Sequence, residues 1–430
     1  MNVHQHVKDH YEDYTYDMFM FNMGSEPEEI ELFDQWIDTL NQRDINSFEC
    51  ARQSAQTTEV TIHRNTGNPY PVVNMSSYNY LGFGYHPEVI KAAQDAVATY
   101  GLGASSSPVI SGTYAIHRQL ETEIVQFFGQ DGYAVSLFSS GYSVNLGVIQ
   151  AFIKPGNHVL LDESVHMSMV EGARLSGGTV TYFKHNDMAD LEEKLQKISD
   201  GFSRVLICAE GVYSHSGQYA NLKEIVRLAK QYGAYTLVDE AHSVLLAGEH
   251  GRGVSEQQGI LDQIDLYVMT FSKAFGGVGG AVYAKKAFCT YINWYAKCRM
   301  FSCALDPAVT GGMCQSIALA GGPEGHVRRQ RLFQNAAHMR ALLDPYVHLL
   351  PSDTWILSVG FFNDKLTLHI SNYLQKNGLD VSILQFPAVK KNGGKIRLFI
   401  TSEHTFAQLE RAASILIEAS KQFGFSKESQ

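Results

Sequence analysis

The stretch "NLKEIVRLAKQYGAYTLVDEAHS" (residues 221–243) decides the fold. Its first half repeats apolar residues at helical spacing and stops at Gly233, the residue type that closes helices in the left-handed conformation. Its second half is apolar throughout and ends in Asp239. A strand without polar alternation is covered by helices on both faces. Working outward, "AVSLFSS", "HVLLDE", "TVTYF", "RVLICAE", "DLYVMTFS" and "GAVYAKK" repeat this kind of strand, with helical stretches between them. Residues 71–285 therefore predict an α/β doubly wound, mostly parallel sheet, whose ligands gather at the carboxyl ends of the strands.

The flanks read differently. Residues 1–70 are acidic and aromatic, and "SEPEEIELFDQWIDTL" predicts one amphipathic helix. Ser25 and Glu28 form its capping box, and Ile30, Phe33, Ile37 and Leu40 share a face with Trp36. Residues 286–345 read as helical. Residues 350–425 give a smaller α+β lobe with "TWILSV", a helix through "LTLHISNYLQKNG", the strand "KIRLFI" and a closing helix. The expected division is an N-terminal arm (1–70), a large α/β domain (71–300), and a helical connection with a small C-terminal α+β domain (301–430).

Composition narrows the classes. A net charge of -10 gives no basic footprint and argues against nucleic acid as the partner. Cys50, Cys208, Cys289, Cys298, Cys303 and Cys314 form no C-x-x-C pair, so free thiols are expected, with neither a disulfide frame nor a metal site. No basic-then-apolar leader opens the chain and no run of 18 apolar residues occurs, which predicts a cytoplasmic protein without a transmembrane segment and leaves peripheral membrane contact open.

The chemistry sits at strand ends. "TLVDEAHS" ends in Asp239 with His242 three residues on, "LLDESVHMS" carries His166, and "FSSGYSVN" turns through Gly141 into a helix. "VMTFSKAFGGVGG" (268–280) ends its strand at Thr270, Ser272 and Lys273 and then runs into glycines. A lysine there can present a neutral amine that forms a Schiff base with an aldehyde. An aspartate on the same rim can pair with a protonated ring nitrogen, and a glycine turn opening a helix offers backbone N–H groups to a phosphate. Aldehyde, ring nitrogen and phosphate together describe pyridoxal 5'-phosphate. The glycines after Lys273 are expected to let the backbone pass close to it.

In "NMSSYNYLGFGYHPEVI" (74–90), "SGTYAIHRQLE" (111–121), "SSGYSVNLGVI" (139–149), "DESVHMSMVEGARLSG" (162–177), "EGVYSHSG" (210–217), "DEAHSVLLAGEHGRGV" (239–254), "TFSKAFGGVGG" (270–280) and "KIRLFITSEHT" (395–405) the chain resembles the α-oxoamine synthases. These are pyridoxal-phosphate enzymes of the aspartate-aminotransferase fold (fold type I). The group spans serine palmitoyltransferase, 5-aminolevulinate synthase, 8-amino-7-oxononanoate synthase and 2-amino-3-ketobutyrate CoA ligase.

The resemblance implies roles. Lys273 would hold the cofactor as a Schiff base and move the proton at the amino acid's Cα. Asp239 would keep the pyridine nitrogen protonated, His242 would bond the phenolic oxygen, and His166 would stack on the ring. Gly141, Tyr142, Thr270, Ser272 and Ser214 would hold ring or phosphate. Arg397 would clamp the substrate carboxylate, assisted by Asn79. Asn79 and Ser302 would reach the neighbouring subunit's site, making a homodimer with shared sites the working unit.

The implied reaction is a decarboxylating Claisen condensation of a small L-amino acid or glycine with an acyl thioester, carried by coenzyme A or an acyl-carrier protein. The wording of 74–83 leans towards serine palmitoyltransferase. The alternatives are another fold type I enzyme, such as an aminotransferase or aldolase, and a non-catalytic partner subunit, against which Lys273 argues. Two departures from the family pattern, Pro108 in "SSSPVISGT" and His215 with Gln218 in "SHSGQ", bear on substrate preference.

Overall fold

The computed structural model describes residues 3–15, 18–19, 26–64, 67–198, 203–386 and 388–429. The chain divides into two units: Met1–Ser77 with Phe333–Gln430, and Tyr78–Leu332.

The first unit is built on six strands: β1 (Ala51–Arg52), β2 (Glu59–His63), β3 (Tyr70–Met75), β11 (Ile356–Gly360), β12 (Leu379–Leu384) and β13 (Lys395–Phe399). Their order is β1-β2-β3-β12-β13-β11, with β12 parallel to β3 and the other neighbours antiparallel. Residues read as an arm thus supply strands to the sheet of the C-terminal lobe. The helix Glu26–Gln42 buries Leu32, Trp36 and Leu40, spaced four apart on one stripe. Ile30, expected on that face, is 67% exposed. It precedes Trp36 by six residues, which turns it well away from the stripe. Ser25 of the expected capping box lies outside the described residues.

The second unit holds the seven strands read from the sequence: β4 (Tyr133–Phe138), β5 (His158–Asp162), β6 (Thr179–Phe183), β7 (Val205–Glu210), β8 (Tyr235–Asp239), β9 (Leu266–Thr270) and β10 (Gly280–Lys285). The order is β4-β10-β9-β8-β7-β5-β6. All run in one direction except β10, which is antiparallel to both β9 and β4. Alternation along β9 sorts the two faces. Val268 joins a core with Val144, Val148, Leu161, Leu206 and Leu237, whereas Tyr267 packs edge-on to Phe128, ring centroids 4.9 Å apart. Each fully buried aliphatic side chain contributes about 1.5–3 kcal/mol of transfer free energy, so this two-faced burial fixes the register.

Because the strands other than β10 share a direction, their carboxyl ends share a rim. Glu210, Asp239 and Thr270 terminate adjacent strands there, and the chain leaves β4 on the same side into the helix Gly141–Phe152. Two of the glycines after Lys273 sit against other parts of the chain. Gly276 has φ +80°, and a Cβ on it would overlap the backbone of Gly84, while one on Gly277 would overlap Met313. They allow chain to pack on chain.

Candidate active site

Nine of the twelve expected site residues line one cavity of about 230 Å³ on the rim of the larger sheet: Gly141, Tyr142, His166, Ser214, Asp239, His242, Thr270, Ser272 and Lys273. Ser140, Asn145, Ser168, Glu210, Ala241 and Val268 complete the wall.

Asp239 is buried at the end of β8. One carboxylate oxygen accepts from the Ala241 backbone N–H at 2.9 Å, the other from Asn145 Nδ2 at 2.7 Å. Asn145 Nδ2 also donates to Ser168 Oγ at 3.0 Å, and Ser168 Oγ lies 2.8 Å from His166 Nδ1. One continuous chain of bonds thus orients the aspartate and the histidine. Reading the sequence missed Asn145, although it stands inside the quoted "SSGYSVN" one helical turn after Gly141, where it shares that glycine's face.

His242 is held from below, with Nδ1 at 2.8 Å from Tyr80 Oη. The Tyr78 ring meets its imidazole edge-on, centroids 6.0 Å apart, and Lys273 Nζ lies 5.9 Å from the same Tyr78 ring. Lys273 is half-buried, as a lysine that must reach a ligand requires. His166 caps the helix Met167–Ser176, its Nδ1 accepting from the Ser168 N–H at 3.3 Å, and the Tyr142 ring stands edge-on to it at 6.0 Å.

At the other end of the cavity, Ser140 and Ser143 cap the helix Gly141–Phe152 reciprocally, each side-chain oxygen accepting the other's backbone N–H at 3.1 Å. The first residues of this helix, Gly141 and Tyr142, line the cavity beside Thr270 Oγ1 and Ser272 Oγ, which are 2.8 Å apart. A Cβ on Gly141 would sit 2.6 Å from Thr270 Oγ1, so glycine is required for this approach.

Glu210 is the second residue missed, though the rule that found Asp239 covers it, since "RVLICAE" is a strand ending in a carboxylate. It is the register partner of Asp239 on the adjacent strand, and Oε2 accepts the Ser214 N–H at 2.9 Å. Burial, and secondarily the neighbouring Asp239 carboxylate, pushes its pKa up to about 8.

Three expected residues lie elsewhere. Asn79 accepts from the Gly84 N–H at 3.2 Å and Ser302 is half-buried in the turn before Leu305; neither lines the cavity. Arg397 belongs to the first unit. On β13 it is buried, donates to Ser382 Oγ at 3.1 Å and lies over the Phe399 ring at 4.5 Å.

Residues 70–416 match the aminotransferase class I and II family. The chain is 36% identical over 349 residues to an 8-amino-7-oxononanoate synthase from Alkaliphilus metalliredigens, covering 81% of this chain and 87% of that protein. A serine palmitoyltransferase from Sphingobacterium spiritivorum is 33% identical over 387 residues, covering 90% and 94%. Among solved structures, a serine palmitoyltransferase from S. paucimobilis carrying PLP and myriocin superposes with a TM-score of 0.85 at 31% identity, over 92% of this chain and 99% of that one. The chain belongs to the aminotransferase class I and II family, and within it to the α-oxoamine synthase group of pyridoxal-phosphate-dependent transferases.

The cavity suits that cofactor on its own terms. It offers an amine in Lys273, a buried carboxylate in Asp239, and a helix N-terminus with two hydroxyls for a phosphate. Asn145 Oδ1 is buried in its wall without a hydrogen-bond partner among the described residues. No helix among the described residues is long and apolar enough to cross a membrane.

Proposed function

We propose that this chain catalyses a decarboxylating condensation of a small L-amino acid or glycine with an acyl thioester, releasing carbon dioxide and the free thiol and forming an α-amino ketone. The observation that carries the reading is the joint presence of Lys273, Asp239, His242 and His166 around one cavity, in a chain similar along most of its length to two kinds of α-oxoamine synthase. Pyridoxal phosphate, when bound, supplies an aldehyde for the amino group and a ring that accepts electrons from Cα.

The protein's part is to hold and move protons. Asp239, fixed by Asn145 and the Ala241 N–H, keeps a proton on the ring nitrogen. Lys273 carries the proton to and from the amino acid's Cα. His242, oriented by Tyr80, donates to the phenolic oxygen, and His166, anchored at a helix start, covers the ring face. Gly141, Tyr142, Thr270, Ser272 and Ser214 hold phosphate and ring, and Arg397 takes the substrate carboxylate. The working unit is a cytoplasmic homodimer in which Asn79 and Ser302 serve the partner's site; their position outside the cavity wall supports that reading. The thiol carrier is coenzyme A or an acyl-carrier protein, and the region from about 71 to 300 is the cofactor-binding domain.

The test is to mix the holoenzyme with glycine, alanine or serine and a set of acyl-CoAs, and to follow thiol release and carbon dioxide together. Equal amounts of both, dependent on both substrates, are expected. Amino-group transfer to a 2-oxo acid without thiol release would replace the proposal with an aminotransferase.

A further inference from the structure

The helix Lys286–Tyr295 is apolar on both sides. Its inner face buries Cys289 and Ile292. Its outer face carries Ala287, Tyr291, Trp294 and Tyr295, with Tyr291 37%, Trp294 60% and Tyr295 52% exposed, around a shallow surface hollow also lined by Thr290. Tyr291 and Tyr295 stack at 4.3 Å, so the aromatics form one surface. A surface helix ordinarily turns polar residues outward, so this stripe lacks a cover within the described residues of its own chain.

The segments that carry and support the stripe have charge of one sign only. The helix packs on β4, β10 and the helices Gly141–Phe152 and Lys297–Met300. Residues 132–161 and 266–305, which contain all of these elements, carry no Asp or Glu in a chain of net charge -10. They carry Lys154, Lys286 and Lys297, all exposed, and Lys154 Nζ lies 5.9 Å from the Tyr295 ring centroid. Carboxylates that act on these segments from outside them are Glu121, on Cys289 and Arg299, and Asp262 and Asp265, on Tyr133 and Lys285.

We propose that this face docks on the surface of an anionic phospholipid bilayer, with Tyr291, Trp294 and Tyr295 at headgroup depth and the lysines among the phosphates. Amphipathic Trp and Tyr rings concentrate at that level of a membrane, and clustered lysines add attraction to anionic lipid. A second copy of the chain fits less well. A two-fold contact through this patch would set Lys154, Lys286 and Lys297 against their own counterparts. The docking goes beyond the condensation reaction and does not depend on it.

The chain carries its own reporter. Of its three tryptophans, Trp36 and Trp355 are fully buried and Trp294 is exposed, so lipid-induced changes in emission report on Trp294. The holoenzyme is titrated with vesicles of phosphatidylglycerol and phosphatidylcholine, and with phosphatidylcholine alone, and bound protein is sedimented. Binding to the anionic vesicles with blue-shifted emission, weakened by salt, is expected. Trp294→Ala with Tyr295→Ala should abolish it. Lys154→Gln and Lys297→Gln should each weaken it about fivefold. Unshifted emission with no sedimentation, or sedimentation indifferent to the aromatic substitutions, overturns the proposal. So does self-association that the same substitutions remove, since the occupant is then a second copy.

Discussion

Glu210→Gln isolates the electrostatics of the buried carboxylate pair. Glu210 and Asp239 face each other on adjacent strands, and burial together with the Asp239 charge raises the Glu210 pKa to about 8. An unfolded glutamate titrates near 4.3, so between those values the folded state holds a proton that the unfolded state releases. Stability is then highest below the unfolded pKa and is lost as pH rises towards the folded one. At about 1.4 kcal/mol per pH unit, the wild type loses roughly 4 kcal/mol between pH 5 and pH 8 through this one group. Glutamine cannot ionise, and its carbonyl can still accept the Ser214 N–H. The variant should therefore match the wild type near pH 5 and exceed it at pH 8. The assay is urea unfolding of the cofactor-free protein at half-unit pH steps, read as the difference between the two midpoints. A difference that stays constant from pH 5 to pH 8 would refute the reasoning.

Other outcomes follow from the proposed function and from the packing. Asp239→Asn should still bind the cofactor yet slow Cα proton exchange by about three decades, roughly 4 kcal/mol; near-normal exchange, followed by proton NMR in heavy water, would remove Asp239 from its role. Arg397→Ala should weaken amino-acid binding by about 1.5–3 kcal/mol in a spectral titration while the cofactor stays bound, and unaltered binding would place the clamp elsewhere. Gly276→Ala should lower stability by about 1–3 kcal/mol, because its Cβ overlaps the Gly84 backbone at a positive φ, whereas Val278→Ala on the exposed loop should melt with the wild type. A mixed dimer of a Lys273→Ala chain with an Asn79→Ala, Ser302→Ala chain should recover about half the wild-type rate per dimer by statistics of one intact site. No recovery after verified subunit exchange would show that each site is built within one chain.

The strands of the larger sheet were legible because each is a short apolar run bounded by turns, a signal that needs no knowledge of partners. Four of the six strands of the smaller sheet were missed, β2 for a local reason. β2 alternates, with Val60 and Ile62 buried between exposed ends, but it lies in a segment whose acidity and aromatics suggested an arm. Its apolar face makes sense only beside β3 and, through it, β12 some 300 residues later. Ile30 was placed on the buried stripe because Ile30, Phe33, Ile37 and Leu40 recur at three and four residues, whereas the fully buried stripe follows Leu32, Trp36 and Leu40. Asn145 and Glu210 escaped for another reason. Each carried a local signal, a strand-end carboxylate for Glu210 and a helical turn from Gly141 for Asn145, but the partner that gives it a purpose, Asp239, is distant in sequence.

Strand order is also what makes the site. β4 and β9 are separated by about 130 residues and never pair, yet β10, inserted antiparallel between them, brings both carboxyl ends to one rim. The cost is crowding where the helix Gly141–Phe152 crosses the end of β10. Two glycines resolve it. A Cβ on Gly280 would lie 3.0 Å from the Gly141 Cα and 2.7 Å from the Met269 carbonyl oxygen, and one on Gly141 would strike Thr270. The helix N-terminus can therefore close on Thr270 and Ser272 only where both positions lack a side chain, and Lys273 follows Ser272 directly. The glycines of "SSGYSVN" and "GVGG" read as separate turn signals along the chain. In the fold they are one requirement, the bare ground on which the helix Gly141–Phe152 and the lysine loop meet.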